Sequence, residues 1–290
     1  MLHITDIEKR LSENPEPQFV TDVRQNIISF FGKLEFQEGP HKYFVHNDDG
    51  SVYELPSVSA TTHQFSPFVD WDAICIKKAQ KEGVDPKDLK MQWRKTNIRA
   101  TSNGTRTHLF GEAMMWYVLG MPEKMPEDIK QYQYEDGFLI PYGKKEEAIS
   151  SFYEDMIKIP NMYPVMPEAQ VYIKNEMGLS QPYAGTFDML FAYKMKNGEF
   201  KLAIFDWKTN ESLENSFNRS KHKTLLKPFD SMIDESLSLY TLQLSAYQLA
   251  ISQLNYDIVD RRVVWLKSDG TYEKIAVNDE SERLKLALSD

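Results

Sequence analysis

The sequence predicts a mixed α/β protein in which a sheet is flanked by helices, and three observations carry that expectation. Residues 202–205, Leu-Ala-Ile-Phe, form an apolar run of the kind shown by a strand covered on both faces. Residues 184–193 and 201–207 both have strand composition and are separated by the turn-like Lys194-Met-Lys-Asn-Gly198, so they read as a hairpin. Further on, Leu239, Leu242, Ala246 and Leu249 recur at helical spacing. Strands and amphipathic helices mixed along one chain bury their apolar faces against each other in layers.

In chain order, Ile4, Ile7 and Leu11, then Val20, Val23, Ile27 and Ile28, fall at near-helical intervals over residues 1–32, interrupted by Pro15 and Pro17. Residues 33–58 read as a small hairpin turning at Asn47-Asp-Asp-Gly50. Helices are expected over 69–82, 86–98 and 104–119, ending at the proline-rich loop 121–126, and another over 144–158. Val171-Tyr-Ile173 has strand character and precedes the hairpin. A basic loop, a helix over 234–254, a strand at 261–266 and a last strand into Val277 complete the pattern. The length of 290 residues fits one core over 101–290 preceded by a helical N-terminal elaboration over 1–100.

Hydrophobic residues at 41% and aromatics at 12% place the chain among folded proteins rather than disordered ones. No apolar run approaches a membrane span, and the first residues lack the apolar core of a signal peptide, so a cytoplasmic protein without membrane contact is expected. The one cysteine, Cys75, excludes an internal disulfide and a four-cysteine zinc or iron–sulfur site. A net charge of −9 argues against a protein that coats nucleic acid with its whole surface. The charge is unevenly placed, however. Residues 77–106 hold nine Lys or Arg, among them Arg94, Arg99 and Arg106, against three acids, with Trp93 between them. Residues 219–227, with Arg219, Lys221 and Lys223, contain no acid. Singly, each is an ordinary solvated face; together they frame a positive channel for a single strand.

The chemistry is concentrated between these basic segments. Gly185-Thr-Phe-Asp188 sits in the first hairpin strand, and Phe205-Asp-Trp-Lys-Thr209 ends the second. Antiparallel pairing brings Asp188 and Asp206 side by side, where two carboxylates can hold a hard divalent cation, and Lys208, two residues on, shares their face. That set suits phosphodiester hydrolysis: a metal polarises the phosphoryl oxygen while an ammonium steadies the developing charge. Taken alone, Asp-x-Lys is an ordinary pair of solvated charges. The buried strand leading into Asp206 puts it in a cleft instead. The Trp207 side chain points to the opposite sheet face, leaving its carbonyl to reach the metal.

These segments resemble the PD-(D/E)XK nuclease superfamily, in particular its RecB-like exonuclease branch. Asn103-Gly-Thr-Arg-Thr-His108-Leu-Phe-Gly-Glu112 is similar to the helix by which that branch supplies a further metal ligand, and Gln243-Leu-Ser-Ala-Tyr247 to its Gln-x-x-x-Tyr helix. His41-Lys-Tyr-Phe, the segment containing Ser57 and Ser59, and Trp71 resemble the leading part of the mitochondrial genome maintenance exonuclease and its phage relatives. The Pro of the superfamily's Pro-Asp is replaced by Phe187. The resemblance implies a restriction-endonuclease-like core, Mg²⁺ or Mn²⁺ held by Asp188, Asp206, His108 and the carbonyl of Trp207, and Lys208 positioning or helping to deprotonate the attacking water. Gln243, Tyr247, Ser57 and Ser59 would contact or support the nucleic acid. Glu112, one turn after His108, could orient its ring, and Glu168 could add a third carboxylate; an exposed helix face and an exposed strand end are the plainer readings of these two. The implied activity is exonucleolytic cleavage of single-stranded DNA to 5′-phosphates in replication, recombination or repair, alongside replication or recombination proteins; the chain's compactness and the missing presequence add the expectation of a bacterial or phage-infected cell. A structure-specific endonuclease on the same core, or a non-cleaving recombination accessory, are the alternatives.

Overall fold

The computed structural model describes residues 1–289. Helices α1 (Ile4–Glu13) and α2 (Gln18–Phe30) lie on either side of the two prolines, with Pro17 capping α2. A three-stranded antiparallel sheet follows, β1 (Leu34–Gln37), β2 (Lys42–His46) and β3 (Val52–Leu55), then the short α3 (Val58–His63), whose first turn is capped by Ser57. The chain then forms α4 (Trp71–Glu82), α5 (Pro86–Val118), α6 (Glu127–Gln133), a small ribbon of β4 (Tyr134–Glu135) and β5 (Phe138–Leu139), and α7 (Lys144–Met156).

The main sheet comes from the second half: β6 (Met162–Tyr172), β7 (Ala184–Lys194), β8 (Phe200–Lys208), β9 (Ile258–Leu266) and β10 (Tyr272–Ala276), ordered β10-β9-β8-β7-β6. The first three strands run antiparallel to each other in sequence. After the short α8 (Ser216–Ser220), α9 (Ser236–Ser252) makes the crossover that lets β9 pair parallel to β8, and β10 returns antiparallel. The result is a mixed α/β fold around a five-stranded mixed sheet, closed by α10 (Ser281–Ser289). No described helix is long and apolar enough to cross a membrane.

Both sheet faces are covered, which is why β7 and β8 read as continuous apolar runs. On one face Leu202 and Ile204 meet Val23 and Ile27 of α2 and Leu242 and Ala246 of α9 in one core. On the other, Ala203, Phe205 and Trp207 join Phe110 and Met114 of α5 and Phe152 of α7. Alternation along β8 thus assigns Asp206 and Lys208 to the α9 side and Trp207 to the α5 side.

The structure adds α3, α6, the β4–β5 ribbon, α8 and α10 to the sequence reading and departs from it elsewhere as well. The helices expected over 86–98 and 104–119 are one helix, α5. Its interior Gly104 costs about 1 kcal/mol relative to Ala, too little to break a helix held at one end by Leu89 and Trp93 against α4 and at the other by the sheet core. α5 runs through residue 100, and α1 and α2 contribute Ile7, Val20 and Val23 to the two main cores. The small hairpin has a third strand. Finally, β6 begins at Met162, nine residues before the expected strand at Val171, despite Pro164 and Pro167; as the sheet's edge, it tolerates residues that cannot donate to a ladder.

Candidate active site

Register explains how the acidic side chains meet. Pro167 pairs with Met189 and Ala169 with Phe187, so Glu168 faces Asp188 across β6 and β7. The β7–β8 ladder ends at Met189 and Phe205, and continuing it by one residue sets Asp188 opposite Asp206. Three carboxylates on three neighbouring strands thus fall into one row. At that row the ladder stops being backbone to backbone: the Trp207 N–H donates to Asp188 Oδ2 at 2.6 Å. A residue's N–H and C=O face the same neighbouring strand in an antiparallel pair, so the Trp207 carbonyl is turned towards β7 as well.

Glu168 is where the sequence reading needs most revision. It is not an exposed strand end; it lies within β6, half-buried, with φ of 46°, in the left-handed region that residues other than glycine seldom adopt. Such a conformation costs of order 1–3 kcal/mol and persists where neighbours over-determine it. Here the two flanking pairs with β7 do so.

Helix α5 brings the imidazole. His108 Nδ1 lies 3.0 Å from Asp188 Oδ1. The helix can approach this closely because residue 111 is glycine: a Cβ there would overlap the Trp207 indole. One ligand atom each from His108, Glu168 and Asp188 lies within 4.8 Å of the other two, a cluster that could hold a metal ion. Glu112, one turn on, lines the same cleft but does not orient His108; Asp188 does that, and Glu112 accepts from the Trp116 indole at 3.3 Å.

Lys208 completes the row from the α9 side. Its ammonium pairs with Asp206 and sits 4.3 Å from the centre of the Tyr240 ring, a cation–π contact. Tyr240 in turn donates to Asn210 Oδ1 at 2.8 Å. Tyr240 was missed in the sequence, although its place three residues before Gln243 on one helix face was a usable signal. Gln243 donates to the Tyr247 hydroxyl at 3.0 Å, and Tyr247 packs against Phe187. Gly185 is small for the same reason as Gly111: a Cβ would approach Val58 to 2.7 Å and Tyr247 to 2.9 Å.

Electrostatics follow from crowding. Burial, followed by the charge of Asp188, pushes Glu168 well above the usual carboxylate range. Burial and Asp188 also push Asp206 up to about 6, against the pull of Lys208. Asp188 goes the other way: burial works to raise it, but His108, Lys208 and the Trp207 N–H outweigh that and hold it low. Burial likewise works to lower Lys208 and His108, yet the carboxylates keep both above their ordinary values, so the amine stays an ammonium. One consequence bears on metal fit. Asp206 Oδ2 is buried, and its partner there is the Lys208 ammonium. Three carboxylates crowded beside an imidazole, with one ammonium among them, are a donor set suited to a hard divalent cation.

The cleft holding this row has a volume of about 450 Å³ and is also bounded by Ser57, Ser59, Gln243 and Tyr247. Tyr43 and Thr186, joined at 3.2 Å, line it too, tying the small sheet to β7. The basic residues fall elsewhere. Arg94 and Arg99 are exposed on the projecting half of α5. Arg106 pairs with Glu146 and stacks on Tyr142 beyond the cleft wall. Arg219 is bound to Glu235 and Glu214, while Lys221 and Lys223 lie exposed after α8.

No family model matches this chain, and no curated protein does. Among solved structures, one similar to it is the crystal structure of a "putative exonuclease" from Eubacterium rectale, with 13% identity and a TM-score of 0.36, the match covering 62% of each chain. The chain therefore spans less than two thirds of that protein's length. At this distance the likeness carries no argument about chemistry, which rests on the side chains themselves.

Proposed function

We propose that the protein is a metal-dependent deoxyribonuclease of the PD-(D/E)XK superfamily, RecB-like branch, acting as an exonuclease on single-stranded DNA. The observation that carries this reading is the row Glu168, Asp188 and Asp206 on adjacent strands, closed by His108 and Lys208. Asp188, Asp206, Glu168 and His108 would hold Mg²⁺ or Mn²⁺, with the Trp207 carbonyl in reach. When bound, the ion supplies Lewis acidity to the phosphoryl group and makes water a stronger acid.

The rest falls to the protein. Lys208, fixed between Asp206 and the Tyr240 ring, presents a permanent positive charge where the phosphoryl oxygens become more negative, so positioning and charge stabilisation describe it better than proton abstraction. Asp188 holds the His108 ring through Nδ1 and the β8 backbone through Trp207, fixing both walls of the site before a substrate arrives. In the reaction, the oxygen of water bonds to phosphorus, the P–O3′ bond breaks, and the 3′ oxygen leaves with a proton, giving a 5′-phosphate. Gln243 and Tyr247, linked to each other at the cleft wall, support the strand. Replication, recombination or repair is the corresponding setting.

The test is hydrolysis of end-labelled single strands with Mg²⁺ or Mn²⁺. Asp206→Ala and Lys208→Ala should each lose at least about 100-fold in rate; unchanged cleavage by both would refute the site. Circular single-stranded DNA should stay intact, and its cleavage would move the reading to an endonuclease.

A further inference from the structure

Beyond the catalytic cleft lies a second groove of about 960 Å³, between the loop leading into α4, the α8 region and the start of α9. Three of its walls are aromatic side chains open to solvent: Phe68 is 91% exposed, Trp71 65% and Phe217 58%. Rings left so bare at one site need explaining, since large side chains of this kind are normally packed.

Basic side chains stand around them. His63, His222 and Lys223 line the groove, and Lys221 is exposed beside it. Of the groove's two acids, Glu235 accepts both Arg219 hydrogen bonds, while Asp234, whose carboxylate accepts from the neutral Asn218 amide, keeps its negative charge near Lys223 and His63. Among the described residues, the ion pairs of 219–227 are confined to Arg219. Lys223 lies 5.0 Å from the centre of the Phe217 ring, so a cation and a flat apolar surface are presented together.

The groove also continues the cleft. On α3, Ser59 lines the cleft and His63 the groove; on α9, Gln243 lines the cleft and Leu239 the groove. Each pair is one helical turn apart, about 6 Å along the axis, comparable to one nucleotide of an extended strand. An occupant that is polyanionic on one side, flat and apolar on the other, and already threaded through the neighbouring cleft is a single-stranded nucleic acid.

Resting on the nuclease reading above for the identity of the cleft, we infer that this groove is the track for the single strand adjoining the scissile nucleotide. Its bases stack on Phe68, Trp71 and Phe217, while Lys221 and Lys223 take the phosphates. Sequence-tolerant stacking and a salt-sensitive phosphate contact would let the enzyme keep hold of a strand between cuts.

The experiment is equilibrium binding of fluorescent oligodeoxythymidylates of increasing length to the full chain in Ca²⁺, read by anisotropy, with Trp fluorescence recorded in parallel. Phe217→Ala and Trp71→Ala should each weaken binding of long strands at least about fivefold. The loss should shrink as strands shorten. Lys221→Ala with Lys223→Ala should flatten the salt dependence, and Leu286→Ala, an exposed apolar change on α10, should match the parent. Long strands should quench Trp emission in the parent, and Trp71→Phe should retain affinity while losing that quench. Equal affinity of parent and aromatic variants for long strands, or parent binding that prefers blunt duplex, would overturn the groove. Because binding is measured apart from turnover, a protein that cleaves nothing but loses long strands in these variants would refute the nuclease reading and leave the groove standing.

Discussion

Two glycines on the same helix make opposite predictions from their surroundings. At Gly111 a Cβ would collide with the Trp207 indole, which is itself fully buried, so Gly111→Ala should destabilise the protein by about 1–3 kcal/mol. It should also weaken metal binding, because the helix turn that carries His108 would be pushed from Asp188. At Gly104 the same methyl would meet only Thr209 Oγ1 at 3.5 Å, an ordinary contact, so Gly104→Ala should stabilise by about 0.5–1 kcal/mol. Urea denaturation of both variants checks this, and a common sign would count against the packing described for α5. Titration of Asp206 gives a second prediction at this scale. Its folded pKa, about 6, lies above the ordinary carboxylate value. Its contribution to the stability of the metal-free protein is therefore fully present below about pH 4 and lost as pH rises through about 6. A cation must displace the proton below that point, so the rise in Tm on adding Mn²⁺ should be larger at pH 7.5 than at pH 5. Equal gains at both values would remove Asp206 from the ligand set.

Among the elements, those with a strong period were legible and those shaped by tertiary neighbours were not. The hairpin of β7 and β8 and the helix α9 follow directly from apolar runs and helical spacing, and with them the placement of Asp188, Asp206 and Lys208 on one side. Glu168 could not be placed the same way. Pro164 and Pro167 disguise β6 as a loop, and only its pairing with β7 brings the carboxylate into the row. Glu112 was misdirected for a related reason: sequence shows that it is one turn from His108 but not that Asp188 occupies the ring nitrogen first. If Glu168 belongs to the site through its unusual backbone, Glu168→Gln should leave stability nearly unchanged or raised while reducing metal affinity. Glu168→Gly should relieve the φ strain and so be more stable than Glu168→Ala. Denaturation midpoints that order the other way would show that the left-handed conformation carries no cost.

For the whole molecule, the sequence indicated a sheet flanked by helices but not how its layers divide the work. The α5 side delivers His108 through a helix locked on Trp207, and the α9 side delivers the support for Lys208 through Tyr240. Neither layer makes the site alone, which is why no single segment of the chain announces it. The basic stretches were visible as composition, yet their destinations depend on folding: Arg106 and Arg219 are spent on Glu146 and Glu235, leaving Lys221 and Lys223 available beside the second groove. The same whole-molecule view bears on behaviour at high concentration. β6 forms an open border of the main sheet, and open borders invite strands from other molecules. Two ring-closed residues that lack an amide hydrogen, Pro164 and Pro167, together with the Arg24 guanidinium donating to the Val165 carbonyl at 2.6 Å, leave that border a poor template for intermolecular β-pairing. Replacing both prolines with valine and Arg24 with alanine should therefore yield concentration-dependent oligomers detectable by light scattering, a liability that the kink seating Glu168 helps this protein avoid.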